Sequence, residues 1–174
     1  SKFANCIVVD KNSDGLSNLI ENLDTKNGQV HEQITVDFEV KFDRREMLNY
    51  LTEKYSVLDV LVNTAAVTGD TFSEGWTGPL EQQSVEIWEK AINVNLTSVF
   101  EITQRLAPAL RKAKDGNVLN VASIYGAIGP DMSLYKGTQM GNPAAYSASK
   151  GGLIQLTRWL ATTLAPKVRV NSIS

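Results

Sequence analysis

Apolar positions in this chain fall into short unbroken runs, separated by stretches in which they recur every three or four residues. Asn5-Cys-Ile-Val-Val-Asp10, Gln33-Ile-Thr-Val-Asp37, Leu58-Asp-Val-Leu-Val-Asn63, Asn117-Val-Leu-Asn-Val121 and Val168-Arg-Val-Asn-Ser172 are the runs. Their length suits parallel strands covered on both faces. Between them, Leu16, Leu19, Ile20 and Leu23 share one helical face, and Asn27-Gly28 is expected to stop that helix. Met47, Leu48 and Leu51 mark a second helix over residues 44–55. Residues 85–110 predict a long helical stretch with a break near Asn93 to Asn95 and a bend or turn at Pro108, and residues 144–164 predict another helix. Strands alternating with helices long enough for crossovers predict an α/β fold built on a parallel sheet. Two Gly- and Pro-bearing loops, residues 67–80 and 126–143, follow strand ends. That is the edge at which open parallel sheets bind ligands.

With 174 residues, 43% of them hydrophobic, the chain can bury one core and reads as one domain over residues 1–174. Its 17 basic and 19 acidic residues leave a net charge of −2, which carries no electrostatic footprint for nucleic acid or an anionic membrane. Cys6 lies inside an apolar run and reads as a small buried hydrophobe. His31 has no histidine or cysteine neighbour in sequence, so it reads as a surface residue and no metal site is expected. No segment approaches the ~18 apolar residues of a membrane span, and the first residues lack the layout of a secretory leader. A cytoplasmic protein is the expectation.

Candidate chemistry centres on Tyr146-Ser-Ala-Ser-Lys150 and on Ser123 upstream. On a helix, the four-residue spacing places Tyr146 and Lys150 on one face, one turn apart. A phenol normally keeps its proton to a pKa near ~10, and an adjacent ammonium favours the phenolate, so such a pair can exchange protons near neutrality. A hydroxyl such as that of Ser123 could hold a substrate oxygen. The same spacing also suits an ordinary helix face with a half-buried tyrosine, so the pair alone does not decide.

The order of motifs resembles the short-chain dehydrogenase/reductase family. Asp10 and Asp37 end the first two strands, and Asn63-Thr-Ala-Ala66 stands where the family has Asn-Asn-Ala-Gly. Asn93-Val-Asn-Leu96, the strand leading to Ser123, Tyr146-x-x-x-Lys150 and Val168-Arg-Val-Asn171 follow in the family's order, so the resemblance covers nearly all of the chain. It implies a Rossmann-like, doubly wound parallel sheet in three α/β/α layers, and an NAD-dependent oxidoreductase interconverting a secondary alcohol and a ketone. By the same resemblance Tyr146 exchanges the proton and Lys150 tunes it and holds the nicotinamide ribose. Ser123 binds the reacting oxygen, and Asn95 steadies a water that relays protons. Asp10, Asp37, Phe38, Asn63 and Ala65, together with Tyr146 and Lys150, are the implied cofactor contacts. A carboxylate at the position of Asp10 accepts the adenosine ribose hydroxyls and repels a 2′-phosphate, so NAD is expected over NADP.

Three departures qualify the resemblance. The family's Thr-Gly-x-x-x-Gly-x-Gly turn is not found in the chain, since nine residues precede Asp10 and Ser1-Lys-Phe-Ala4 reads as the start of the helix after that turn. The lid and last strand that follow Val168-Arg-Val-Asn171 in the family are not found either, so the domain is expected to be incomplete at both ends. Finally, Ser123 and Tyr146 are 23 residues apart, and the excess is an insertion from Pro130 to Pro143. The insertion resembles the flagellin-modification and surface-sugar branch, which implies a small polar, sugar-like substrate. Its pocket is expected to include Ser123, Tyr125, Tyr135 and Tyr146, with Lys136, Thr138 and Gln139 in reach. The family resemblance further implies a homodimer or homotetramer. Rival readings are a nucleotide-sugar epimerase or dehydratase with tightly held NAD, and a catalytically silent NAD-binding or scaffold protein.

Overall fold

The computed structural model describes residues 4–68, 74–138 and 140–174. Ser1 to Phe3 and Gln139, both invoked above, lie outside the described residues. Its contacts divide the chain into two compact units, residues 1–50 and residues 51–174.

In the first unit, β1 (Cys6–Asp10) and β2 (His31–Thr35) pair in parallel, with Cys6 opposite His31 and Asp10 opposite Thr35. Helix α1 (Ser13–Glu21) connects them and presses Leu16 into the core. Its start is fixed by Asn12, whose side chain accepts from the Gly15 N–H, a preferred N-cap residue doing what its short carboxamide allows. The helix stops at Glu21 with Asn22 as C-cap, a turn earlier than Asn27-Gly28 suggested. Gly28 instead makes the left-handed turn (φ 79°) that leads into β2.

Strand β2 begins two residues before the predicted run, and His31 is the reason. Its Nδ1 accepts from the Cys6 N–H at 3.2 Å, while Nε2 lies 3.1 Å from the Asp24 carbonyl. A carbonyl can only accept, so the proton sits on Nε2 and the ring is neutral. His31 is therefore a half-buried joint between strand and turn, and the surface assignment is corrected.

Helix α2 (Lys41–Lys54) carries the chain into the second unit, with Met47, Leu48 and Leu51 buried as their spacing predicted. There β3 (Val60–Asn63), β4 (Gly116–Val121) and β5 (Val168–Ile173) form a three-stranded parallel sheet in the order β3-β4-β5. The α/β class and the parallel pairing follow the sequence. The pairing itself is in two sheets, since among the described residues β1 pairs with β2 and β3 with β4 alone.

The predicted long helix divides into α3 (Val85–Ile92) and α4 (Ser98–Lys112), separated by one wide π turn at Asn93–Thr97. The extra residue in such a turn re-aims side chains, and here it turns Val94 and Asn95 inward. Pro108 does not end the helix. It sits inside α4, which continues to Lys112 on the buried stripe of Ile102, Leu106 and Leu110. Helix α5 (Ala144–Leu164) has the predicted bounds.

Candidate active site

Helix α5 positions the Tyr146 and Lys150 pair. Its inward stripe runs Ser149, Lys150, Leu153, Thr157, Leu160 and Leu164, so the helix is held along its whole length against the second unit's core. Pro143 provides no side-chain cap, and Gln83 fills that role from a distance, its Oε1 accepting from the Ala144 N–H at 3.0 Å. Nothing in the sequence marks Gln83 for this task.

Tyr146 is half-buried and packs against a cluster of Trp76, Ala91 and Ala145, joined by Val67 and Ile87. Trp76 is 3% exposed although it lies in a stretch that read as loop. Among the described residues the Tyr146 hydroxyl has no partner. The Lys150 ammonium lies 5.8 Å from the centre of the Tyr146 ring, as the spacing predicted. Lys150 is almost wholly buried, and that burial lowers its pKa below the ordinary lysine value. One ammonium donor goes to the Val121 carbonyl at 2.7 Å. An ammonium carries three donors, so two are without a partner among the described residues.

Asn95, 1% exposed, uses its carboxamide as a clamp. Its Oδ1 accepts from the Val67 N–H at 2.7 Å, and its Nδ2 donates to the Val67 carbonyl at 3.2 Å and to Ser149 Oγ at 3.0 Å. Ser149 in turn donates to the Tyr146 carbonyl at 2.8 Å. The carboxamide thus ties the loop after β3 to the first turns of α5. Replacing Asn95 by leucine removes all three bonds and leaves the half-buried Val67 N–H and carbonyl without them, at about 1–3 kcal/mol each, while Ser149 keeps its bond to Tyr146. We expect Asn95→Leu to lower stability to urea by about 3 kcal/mol or more, while a loss within about 0.5 kcal/mol would show that the clamp is unimportant.

Ser123 lies two residues past the end of β4 and caps the short turn Ile124–Gly126, its Oγ accepting from the Tyr125 N–H at 3.3 Å. That turn lies on α5 through Gly126: a Cβ built there would stand 2.5 Å from the Lys150 carbonyl carbon and 2.7 Å from the Gly151 nitrogen. Only a residue without a side chain lets the Ser123 turn approach Lys150 so closely. The insertion is tied to the same turn. Its short helix Met132–Tyr135, capped by Asp131, places the Tyr135 hydroxyl 3.0 Å from that of Tyr125 in a shared hydrogen bond. The bond, together with burial and the nearby tyrosine and Asp131, raises the Tyr125 pKa. Thr138 caps its own turn by donating to the Tyr135 carbonyl.

Asn63 ends β3 and is half-buried, as is Ala65 two residues on. Asp10, Asp37 and Phe38 belong to the other unit. Asp10 is exposed at the end of β1, where its Oδ1 accepts from the Asn12 N–H. Asp37 accepts from the Glu39 N–H, and the Phe38 carbonyl accepts from Arg44, whose side chain is buried. Among the described residues no group of three or more histidine, cysteine or acidic side chains could hold a metal. No helix among them is long and apolar enough to cross a membrane.

Trp76, Gln83, Ser149, Gly126, Asn120 and Thr157 escaped the sequence reading. Only Trp76 carried a local signal, as a large apolar residue within a Gly- and Pro-bearing loop.

Comparison with known proteins extends the likeness over the whole chain. Residues 1–174 match the family described as short chain dehydrogenase. The 3-oxoacyl-[acyl-carrier-protein] reductase of Thermotoga maritima is 30% identical over 174 residues, a match covering 98% of this chain and 63% of the reductase. The acetoacetyl-CoA reductase of Allochromatium vinosum is 36% identical over 142 residues, covering 80% of this chain and 50% of that protein. A short chain dehydrogenase of Shigella flexneri crystallised with NADP superposes with a TM-score of 0.78 at 22% identity, over 97% of this chain and 64% of that one. The chain spans 50% to 64% of the lengths of these three proteins. With a family match along residues 1–174 and a 30% identical relative aligned to nearly all of them, the chain belongs to the short chain dehydrogenase family.

Proposed function

We propose that the protein is an NAD-dependent oxidoreductase that interconverts a secondary alcohol and a ketone, with Tyr146 as proton carrier. The observation that carries this reading is the Tyr146 hydroxyl, unpartnered among the described residues and one helical turn from a buried ammonium with two unused donors. When bound, the nicotinamide supplies the hydride acceptor or donor. In the oxidation direction the substrate carbon loses hydride, the O–H bond of its hydroxyl breaks, and Tyr146, acting as phenolate, takes the proton. Ser123, in the turn that follows β4, holds the reacting oxygen. Lys150 holds a ribose hydroxyl through the donors that Val121 leaves free. Asn95 acts as a positioning residue, because its carboxamide is committed to Val67 and Ser149.

The residues suit the ribose and nicotinamide end of such a cofactor: a cation with spare donors and, at Asn63, a carboxamide oxygen without a partner among the described residues. Asp10 favours NAD, since an exposed carboxylate accepts ribose hydroxyls and repels a 2′-phosphate. NADP in the Shigella flexneri protein is a property of that protein. For the substrate, the Tyr125–Tyr135 hydroxyl pair beside Ser123 suits a small alcohol or ketone with a further oxygen, of the polyol or sugar class. The exposed Phe100 on α4 and Trp159 on α5 suit a homo-oligomer built on those helices.

The test is a parallel assay of cyclic alcohols and polyols with NAD and NADP, following formation of the reduced nicotinamide. Turnover with NAD at least about tenfold more efficient than with NADP supports the reading, being the discrimination expected from about 1.4 kcal/mol at the ribose. Equal efficiency would remove the role given to Asp10. Cofactor that stays bound through purification, with substrate isomerised and no reduced nicotinamide released, would point to an epimerase or dehydratase instead.

A further inference from the structure

A single line of side-chain hydrogen bonds crosses the second unit from α5 to the carboxyl end of β3. Thr157 Oγ1 donates to the Leu153 carbonyl at 2.7 Å, Asn120 Nδ2 donates to Thr157 Oγ1 at 2.9 Å, and Asn63 Nδ2 donates to Asn120 Oδ1 at 2.8 Å. Parallel register places Asn63 beside Asn120. Thr157 follows Lys150 by seven residues, two turns further along the same buried stripe of α5. Asn120 is 0% and Thr157 5% exposed, so the bonds of Thr157 to Leu153 and Asn120 are shielded from solvent, while Asn63 is half-buried.

The polarity of this line is set from one end. A backbone carbonyl offers only lone pairs, so the proton of the Thr157 hydroxyl must go to Leu153. The hydroxyl oxygen can then only accept from Asn120, and within a carboxamide only the nitrogen donates. Asn120 is thereby turned with its oxygen toward Asn63, and Asn63 must meet it with its own nitrogen. The carboxamide oxygen of Asn63 is left facing away, with no partner among the described residues, at the sheet edge where Val121 and Lys150 also meet. In the opposite polarity, Thr157 and Leu153 would press lone pairs together at 2.7 Å.

We propose that this relay fixes the carboxamide of Asn63 as an outward acceptor. Asn63 is then a binding residue for a hydrogen-bond donor, a hydroxyl of the ribose class, and it disfavours phosphate or carboxylate oxygen there. Asn120 and Thr157 are positioning residues that act through it. The identity of the hydroxyl as the cofactor's rests on the oxidoreductase reading above; the polarity does not.

The test uses two measurements on the unsubstituted protein, Thr157→Val and Thr157→Ser. Nuclear Overhauser spectra of the amide-labelled protein should place the Asn120 side-chain amide protons against the Thr157 methyl group. Amide protons of Asn120 found against Asn63 would overturn the polarity. Titration with NADH should show about tenfold weaker binding for Thr157→Val, the loss of one oriented hydrogen bond, and recovery to within about threefold in Thr157→Ser, which keeps the hydroxyl. Thr157→Val binding NADH as tightly as the parent would overturn the role in binding, and Thr157→Ser shows whether a loss in the valine variant comes from the hydroxyl or from the fold. If the unsubstituted protein binds no NADH, the cofactor reading fails together with the ligand assigned to Asn63, while the spectra still decide the polarity.

Discussion

Tyr146→Phe is expected to lower turnover by about 10² to 10⁴-fold, the usual contribution of a positioned general acid or base, and to leave the thermal midpoint of unfolding unchanged. Both halves come from the same geometry. The ring is a structural part of the Trp76 cluster, and phenylalanine fills that space equally. The hydroxyl has no partner among the described residues, so removing it strands nothing. A catalytic hydroxyl and a structural ring make different predictions for this single atom. Turnover that survives within about threefold would remove Tyr146 from proton transfer, since even a weak general acid contributes more than that. A fallen midpoint would show that the hydroxyl has a structural duty. Steady-state rates and a thermal melt on the same preparation separate the two.

Much of this site was legible because its signals are local. The spacing of Tyr146 and Lys150 fixes their relation as soon as the helix is granted, and α5 has the predicted bounds. The strands were legible as apolar runs for the same reason, and His31 shows the limit of that reading. Its placement depends on Cys6 and Asp24, one 25 residues away and the other behind a turn, and no window around residue 31 contains both contacts.

The support of the site was not legible, because it consists of pairings over long sequence separations. Asn95 by its local pattern is a polar break in a helix, and only the family resemblance gives it a role, in steadying a water. In the fold it is a clamp reaching 28 residues back to Val67 and 54 forward to Ser149. Asn120 alternates within its strand as any residue would, and only the register of β3 against β4 brings it to Asn63. Pro108, which reads in sequence as a bend or turn near the helix end, lies inside α4. Its local preference to end a helix is real, at about 3 kcal/mol, yet the buried apolar stripe of α4 outweighs it.

Gly126 shows how such support controls chemistry, and it yields the second large effect. A methyl group there would stand 2.5 Å from the Lys150 carbonyl carbon and 2.7 Å from both the Lys150 oxygen and the Gly151 nitrogen. All three are backbone atoms of a helix held along its length against the core, so no side chain can swing away to relieve the contact. Gly126→Ala should therefore cost about 1–3 kcal/mol of stability, the range for overpacking. The Ser123 turn and the Lys150 turn must also separate, and a displacement near 1 Å between positioned groups costs about 10²-fold in rate. Gly151→Ala is the graded control. Its methyl would meet the Gly126 carbonyl oxygen at 3.2 Å, a contact that a shift of a few tenths of an ångström relieves. Turnover and urea midpoints for the two variants should therefore fall in the same order, Gly126→Ala well below Gly151→Ala. If both variants lost equal activity, the spacing between the Ser123 turn and α5 would not be what sets the rate. If Gly126→Ala lost stability but kept its turnover, Ser123 would not need to be held against Lys150 for the reaction to proceed.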